Sequence, residues 1–259
     1  MNILEKTTFI KDIDYLVNIP IYEYDISKAN INILYKYNML DDYNYNRLMN
    51  APRNVRQKEI GIMILKNSKI YSIINNGIKE MRSKFMEMNN LTDEDILSVK
   101  NDALFVIDKV PLVTKFDNIE FRLRNTYSSF CKANGLELYY AVDRSNSKDF
   151  LDVKGISDSK LINHENYIID FIKTLFYEIQ TDINTAILMI RHFYRQYIDF
   201  ELDINYYRCF DSISMFKVII GDKYYDVDMA NDYSCLDISC NLNLIRDLWQ
   251  VVTHIQLGI

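Results

Sequence analysis

Apolar and polar positions alternate along IYEYDI, residues 21–26, and its β-branched and aromatic content predicts a strand. The pattern then changes period. KANINILYKYNML carries Ala29, Ile33, Leu34 and Tyr37 at helical spacing, which places Asp25 between a strand and a helix. DDYNYN reads as a polar break, and Asn50-Ala51-Pro52 as a helix start with an Asn cap and a proline in the first turn. Residues 53–90 are helical in period, with Gly61 and Asn75-Asn76-Gly77 as candidate break points.

Strand patterning returns after LTDED. ILSVK and ALFVIDKV predict a hairpin whose tight connection is Asn101-Asp102, and IEFRLRNTYSSFC and LELYYAVDR a second one turning at Asn134-Gly135. Beyond DFLDVKGI the chain becomes helical. Ile168, Phe171, Ile172, Leu175 and Ile179 recur at steps of three and four, KVIIGDKYYDVDM predicts a short hairpin, and NLIRDLWQVVTHIQ a last helix. The expected class is α+β: antiparallel strands with packed helices over residues 1–157, then a mainly helical region over 158–259.

Composition narrows the picture. The chain has 259 residues, 49% hydrophobic and 25% charged, with 6 Gly and 3 Pro, which is enough for a sizeable core and argues against disorder. No apolar run is long enough to span a bilayer, and no charged-then-apolar leader opens the chain, so a cytoplasmic protein without membrane contact is expected. Cys131, Cys209, Cys235 and Cys240 lack CxxC spacing, and with three histidines a structural zinc site is not expected. A net charge of -6 argues against a surface that grips phosphate everywhere, but allows a local basic groove.

Asp25 and Asp102 are the candidate chemistry. Two-metal phosphoryl transfer needs divalent ions held by carboxylates from different strands, and Mg²⁺ takes oxygen ligands while keeping several waters. A strand ending in Asp before a helix, and a later Asp at a hairpin tip, supply such a pair. Each also has a structural reading, Asp25 as a helix cap and Asn101-Asp102 as hairpin-turn chemistry.

These segments resemble family B DNA polymerases. YDISKANINIL keeps that family's first-motif Asp and helix, with Asn30 and Ile31 where the family has Tyr and Pro. VKNDALFVI keeps the metal-binding second Asp of its hairpin motif as Asp102, with Asn101 in place of the first. RLRNTY, with Arg122, Arg124 and Tyr127, and DVKGI, with Lys154 and Gly155, follow in the family's order. KNSKIY, with Asn67, Ser68 and Tyr71, loosely resembles the family's fingers stretch.

The resemblance implies a palm over residues 1–157 with a short fingers-like insertion, and a thumb-like region over 158–259. It implies Asp25 and Asp102 as catalytic ligands of Mg²⁺ or Mn²⁺, and Arg53, Arg56 and Lys58 as holding a nucleoside triphosphate. Arg122, Arg124, Tyr127 and Lys154 would contact a primer-template. Asn30 stands where the family places the Tyr that blocks a ribose 2′-hydroxyl, so ribonucleotide entry is expected.

The implied activity is template-directed nucleotidyl transfer in the replication or transcription machinery of a virus or mobile element. A second polypeptide would supply fingers or an exonuclease. The alternatives are a palm that binds nucleic acid or assembles without catalysis, and an unrelated interaction protein. His164 and His192 read as surface or packed histidines, Tyr206, Tyr207 and Arg208 as core rather than a stacking surface, and Asp226, Asp228 and Asp232 as a solvated acidic loop.

Overall fold

The computed structural model describes residues 3, 6–143, 148–157, 161–208, 210, 215–228 and 238–258. It is α+β, with antiparallel strands and, among the described residues, seven α-helices. Two compact units emerge, Met1–Asp12 with Pro20–Thr126, and Ile13–Ile19 with Tyr127–Ile259. The division falls inside a strand near residue 126; the last strand before the helical region ends at Lys154, and the next described helical turn is Ile162–His164.

In the first unit, strands β1 (Thr8–Ile10), β3 (Ile96–Lys100), β4 (Ala103–Ile107), β2 (Tyr15–Ile26) and β6 (Ile119–Ala133) lie in that order, and the short β5 (Lys115–Phe116) pairs with β6. Alternation sorts β2 onto two faces. Tyr24 and Ile26 join a core built with Val99, Leu104, Val106 and Phe121. Ile21, Glu23 and Asp25 therefore point to the opposite face.

Helices cover the apolar side. In α4 (Lys69–Met88), Ile70, Ile74, Gly77, Ile78, Met81, Phe85 and Met86 form one buried stripe. Helix α1 (Ala29–Lys36) buries Ala29, Ile31, Ile33 and Leu34 against the same core. Gly77 lets the two helices meet, since a Cβ there would lie 2.4 Å from Ile33 Cγ2.

The helical segment departs from the predicted boundaries. DDYNYN, expected as a break, opens helix α2 (Asp42–Asn50): the Asp41 carboxylate accepts from Asn44 N at 2.7 Å and Leu48 is buried beneath. A cap plus one anchored residue outweighs weak propensity here. Asn50 thus ends α2 rather than capping the next helix, and Pro52 itself stands at the cap of α3 (Arg53–Lys66). The break between α3 and α4 falls at Asn67-Ser68, where Asn67 Oδ1 accepts from Lys69 N at 3.1 Å. Gly61 and Gly77 both remain helical, because one glycine costs about 1 kcal/mol and does not by itself end a packed helix.

In the second unit, the end of β6, β7 (Leu136–Asp143) and β8 (Lys148–Lys154) form an antiparallel meander. Asn134 and Gly135 are both left-handed (φ 49° and 74°), the backbone a two-residue hairpin turn requires. Helices α5 (Ile168–Thr181), α6 (Ile183–Ile198) and α7 (Ile238–Leu257) bury Ile172, Leu175, Ile190, Leu248 and Val252 against Leu138 and Tyr140. Asp182 separates α5 from α6 and caps the latter, accepting from Asn184 N at 3.0 Å and Thr185 Oγ1 at 2.7 Å. The predicted hairpin is present as β9 (Met215–Ile220) and β10 (Lys223–Asp228).

Candidate functional site

Strand pairing brings the two aspartates together. Asp25, near the end of β2, is the register partner of Ala103, the residue directly after Asp102. Asp102 sits in the turn between β3 and β4, where Asn101 takes a left-handed conformation (φ 51°). Ile26 N donates to Asp102 O at 3.3 Å, tying the turn to the end of β2. From below, the buried Arg82 of α4 donates to Asn101 O at 3.0 Å and to Lys6 O at 2.9 Å.

The basic row of β6 meets this pair. Arg122 and Arg124 alternate with Phe121, which joins the core, so both guanidinium groups lie on the face of Glu23 and Asp25. Arg122 forks Asp25, with Nε to Oδ1 at 3.2 Å and Nη2 to Oδ2 at 3.1 Å. The Asp25 side chain is 15% exposed and that of Arg122 59%, so the pair is closed on one side and open on the other. Arg124 lies 4.0 Å from the buried Glu23, whose Oε2 accepts from Asn125 Nδ2 at 2.7 Å.

Electrostatics separate the carboxylates. Burial raises the Asp102 pKa above the usual carboxylate range and the charge of Asp25 adds to the rise, while its own backbone N–H, Arg124 and Arg82 pull it down. Arg122 is held above its ordinary value, first by its hydrogen bond to Asp25. A carboxylate destabilised by burial and by a neighbouring acidic side chain is the arrangement that an added cation relieves. The donors are hard oxygens, the type Mg²⁺ and Mn²⁺ take. They are two rather than three: among the described residues, no group of three His, Cys, Asp or Glu side chains converges.

A family model described as Bacteriophage PBS1 gene 130 protein matches residues 1–254. The chain belongs to that phage family. No curated protein matches it significantly. Among the described residues, no helix is long and apolar enough to cross a membrane.

The remaining predicted site residues divide. Asn30 is exposed in the first turn of α1. Arg53 and Lys58 are exposed on α3, whereas Arg56 Nη1 donates to Ala51 O at 3.1 Å and helps anchor the helix start. Tyr127 is 1% exposed, so its ring offers no open stacking surface; its hydroxyl donates to Asp152 Oδ2 at 2.7 Å. Lys154 Nζ lies 2.6 Å from the same oxygen. Tyr127 and Lys154 thus belong to a separate cluster in the second unit, where they tie β6 to β8.

Sequence reasoning passed over Arg82 and Glu23. An Arg on the apolar stripe of α4, in KEMRSKF, was the available signal for the first. Glu23 shares a face with Asp25 through the period of two, which the strand assignment already contained. His164 is buried, as packing predicts, and His192 is exposed. Tyr207 is buried with its hydroxyl donating to Tyr197 O at 3.1 Å, in line with a core role. Cys131 is a buried free thiol. Cys209, Cys235 and Asp232 lie outside the described residues, as do the side chains of Cys240, Asp226 and Asp228.

Proposed function

We propose that this phage protein is a nucleotidyltransferase built on a polymerase-like palm, acting on a primer-template in the host cytoplasm. The observation that supports the reading is the strand pairing that seats Asp25 beside the turn carrying Asp102, close enough for the charge of Asp25 to raise the Asp102 pKa. Two segments 77 residues apart, each expected to supply one metal ligand, meet at a strand end and a hairpin tip. Asp25 and Asp102 would hold Mg²⁺ or Mn²⁺. Bound there, the ion supplies charge neutralisation for triphosphate oxygens.

The chain's own groups do the rest. Arg122 releases Asp25 and turns its exposed guanidinium to a phosphate, a move its solvent-facing position allows. Arg124 stays on the same face as a second backbone contact. Arg82 holds the turn carrying Asp102 in place and touches no substrate. Arg53 and Lys58 remain as exposed cations for the triphosphate. Asn30, small and amide-bearing, accepts a ribose 2′-hydroxyl rather than excluding it.

The test is primer extension with Mg²⁺ or Mn²⁺ and either nucleotide set, using the native chain and the Asp25→Asn/Asp102→Asn double variant. Extension with ribonucleotides, lost in the variant, supports the reading. No extension with any nucleotide or metal, from a chain that still binds primer-template, favours the second reading.

That second reading is a palm that binds nucleic acid without catalysis, and the Arg122 fork favours it. An arginine seated on Asp25 takes the oxygens an ion needs. Arg122→Gln separates the two. Stronger Mn²⁺ binding follows if Arg122 is a releasable latch over a metal site, and weaker nucleic-acid binding with no metal response follows if it is only a phosphate contact.

A further inference from the structure

Helices α6 and α7 of the second unit leave an open groove of about 300 Å³ between them, lined by Tyr194, Arg246, Trp249, Gln250, Thr253 and His254. That volume is at the lower end of small-ligand sites. Trp249 is half-buried: it packs on the core while also lining the groove. Tyr194 meets it edge to face, with ring centroids 5.0 Å apart and planes at 65°. This contact fixes the indole in one orientation.

One arginine lines the groove and two more flank Tyr194 on α6. Arg246 is exposed, and Arg191 and Arg195, one helical turn apart and flanking Tyr194, are exposed on α6. Among the described residues none of the three sits in an ion pair. In a chain of net charge -6, Arg246 in the groove lining and the exposed Arg191 and Arg195 beside Tyr194 on α6 add local positive charge next to an aromatic surface. A fixed indole, amide and hydroxyl hydrogen-bonding groups and unmatched guanidinium groups form the chemistry that binds a base by its face and its phosphate by charge.

We propose that this groove binds single-stranded nucleic acid, with one base stacked on Trp249 and the adjoining phosphates held by Arg246 and the α6 arginines. The site is independent of the carboxylate pair. It requires neither a metal ion nor Asp25 and Asp102.

Trp249 is the chain's single tryptophan, so fluorescence excited at the red edge, where the 20 tyrosines do not absorb, reports this groove. The full chain is titrated at low salt with an oligodeoxythymidylate of roughly 12 nucleotides, within the site sizes of base-stacking proteins. The expected result is saturable quenching, relieved by salt, and unchanged in the Asp25→Ala/Asp102→Ala variant. Followed by anisotropy of a labelled oligomer, Trp249→Ala weakens binding about 10-fold or more, the loss of one stacked base. The exposed Arg246→Ala, which removes no core contact, weakens it and reduces the salt slope by about one. Undiminished Trp249 fluorescence at saturating oligomer overturns the proposal, as do equal affinities of the native and Arg246→Ala chains. Equal quenching by polyglutamate would assign the groove to acidic peptides, and binding of thymidine monophosphate as tight as the oligomer would assign it to a free nucleotide. Either result also overturns it.

Discussion

Two polar clusters sit on strands of this protein, one in each unit, and they use similar residues to opposite ends. In the first unit Asp25 is forked by Arg122, and Asp102 stands beside it with its pKa raised by burial and by that neighbour. In the second, Asp152 accepts from Tyr127 and is paired with Lys154. The difference lies in the partners' exposure. Arg122 is more than half exposed and can leave, whereas Tyr127 is enclosed at 1% and Lys154 lies along the sheet at 27%. A carboxylate whose partner can exchange with a ligand is available for chemistry. One whose partner is part of the core is a fastening.

The largest expected effect tests that contrast directly. On the proposed function, removing the first pair as Asp25→Ala/Asp102→Ala should lower nucleotidyl transfer by more than about 100-fold, beyond what outer partners of a metal site carry. Tyr127→Phe should leave that activity of the folded chain near native and lower only the melting temperature. Equal loss of activity in both would erase the distinction between the clusters.

Next comes pH. His164 of the second unit is fully buried beside Phe210, and both ring nitrogens lack a hydrogen-bond partner. Burial, with the nearby charge of Arg208 adding to it, pushes its pKa down to about 4. The folded chain therefore keeps His164 neutral where the unfolded chain takes a proton. The contribution of His164 to stability is full above about pH 6.5 and is lost as the pH drops toward 4, by up to roughly 3 kcal/mol. His164→Leu should flatten denaturant midpoints across that window. An unchanged slope would mean that other groups control the acid limb.

Substitution of single carboxylates gives opposite signs. Asp152→Asn weakens two interactions to a charged group and should cost about 1–3 kcal/mol, measured by urea unfolding. Asp102→Asn should hold or raise stability at neutral pH, because the folded chain disfavours that charge while the unfolded chain does not. The sign follows from linkage: a carboxyl with a raised folded pKa keeps its proton longer when folded, so its contribution declines as pH rises through the ordinary carboxylate range. A marked loss of stability in Asp102→Asn would make it a fastening like Asp152.

The smallest effect concerns the scaffold under the first cluster. Gly77→Ala forces a methyl group to 2.4 Å from Ile33 and should cost about 1 kcal/mol net, overpacking exceeding the gain in helix propensity. Gly61→Ala meets nothing within 4 Å and should gain about 0.5–1 kcal/mol in the same melt. Equal shifts would show that α1 and α4 adjust without strain.

Much of this frame was legible in order of residues. The hairpin at Asn101-Asp102, the turn at Asn134-Gly135 and the strand-Asp-helix run at Asp25 each rest on local rules, period and turn chemistry, which short segments carry by themselves. Helix boundaries were less legible. Whether Asn50 caps or ends a helix, and whether Gly61 or Asn67 breaks one, depended on which nearby group accepted a hydrogen bond and which residue reached the core.

Sequence by itself determined the class of the fold, the positions of the two aspartates at a strand end and a hairpin tip, and the basic residues that follow them. Those depend on spacing within a few residues. Tertiary structure alone decided that Asp25 and Asp102 are neighbours, that Arg122 sits on Asp25, that Arg82 supports the Asp102 turn, and that Tyr127 and Lys154 are fastened to Asp152. Each joins residues far apart in the chain, and only the register of strands and the burial of their partners sets a distance or a pKa at that range.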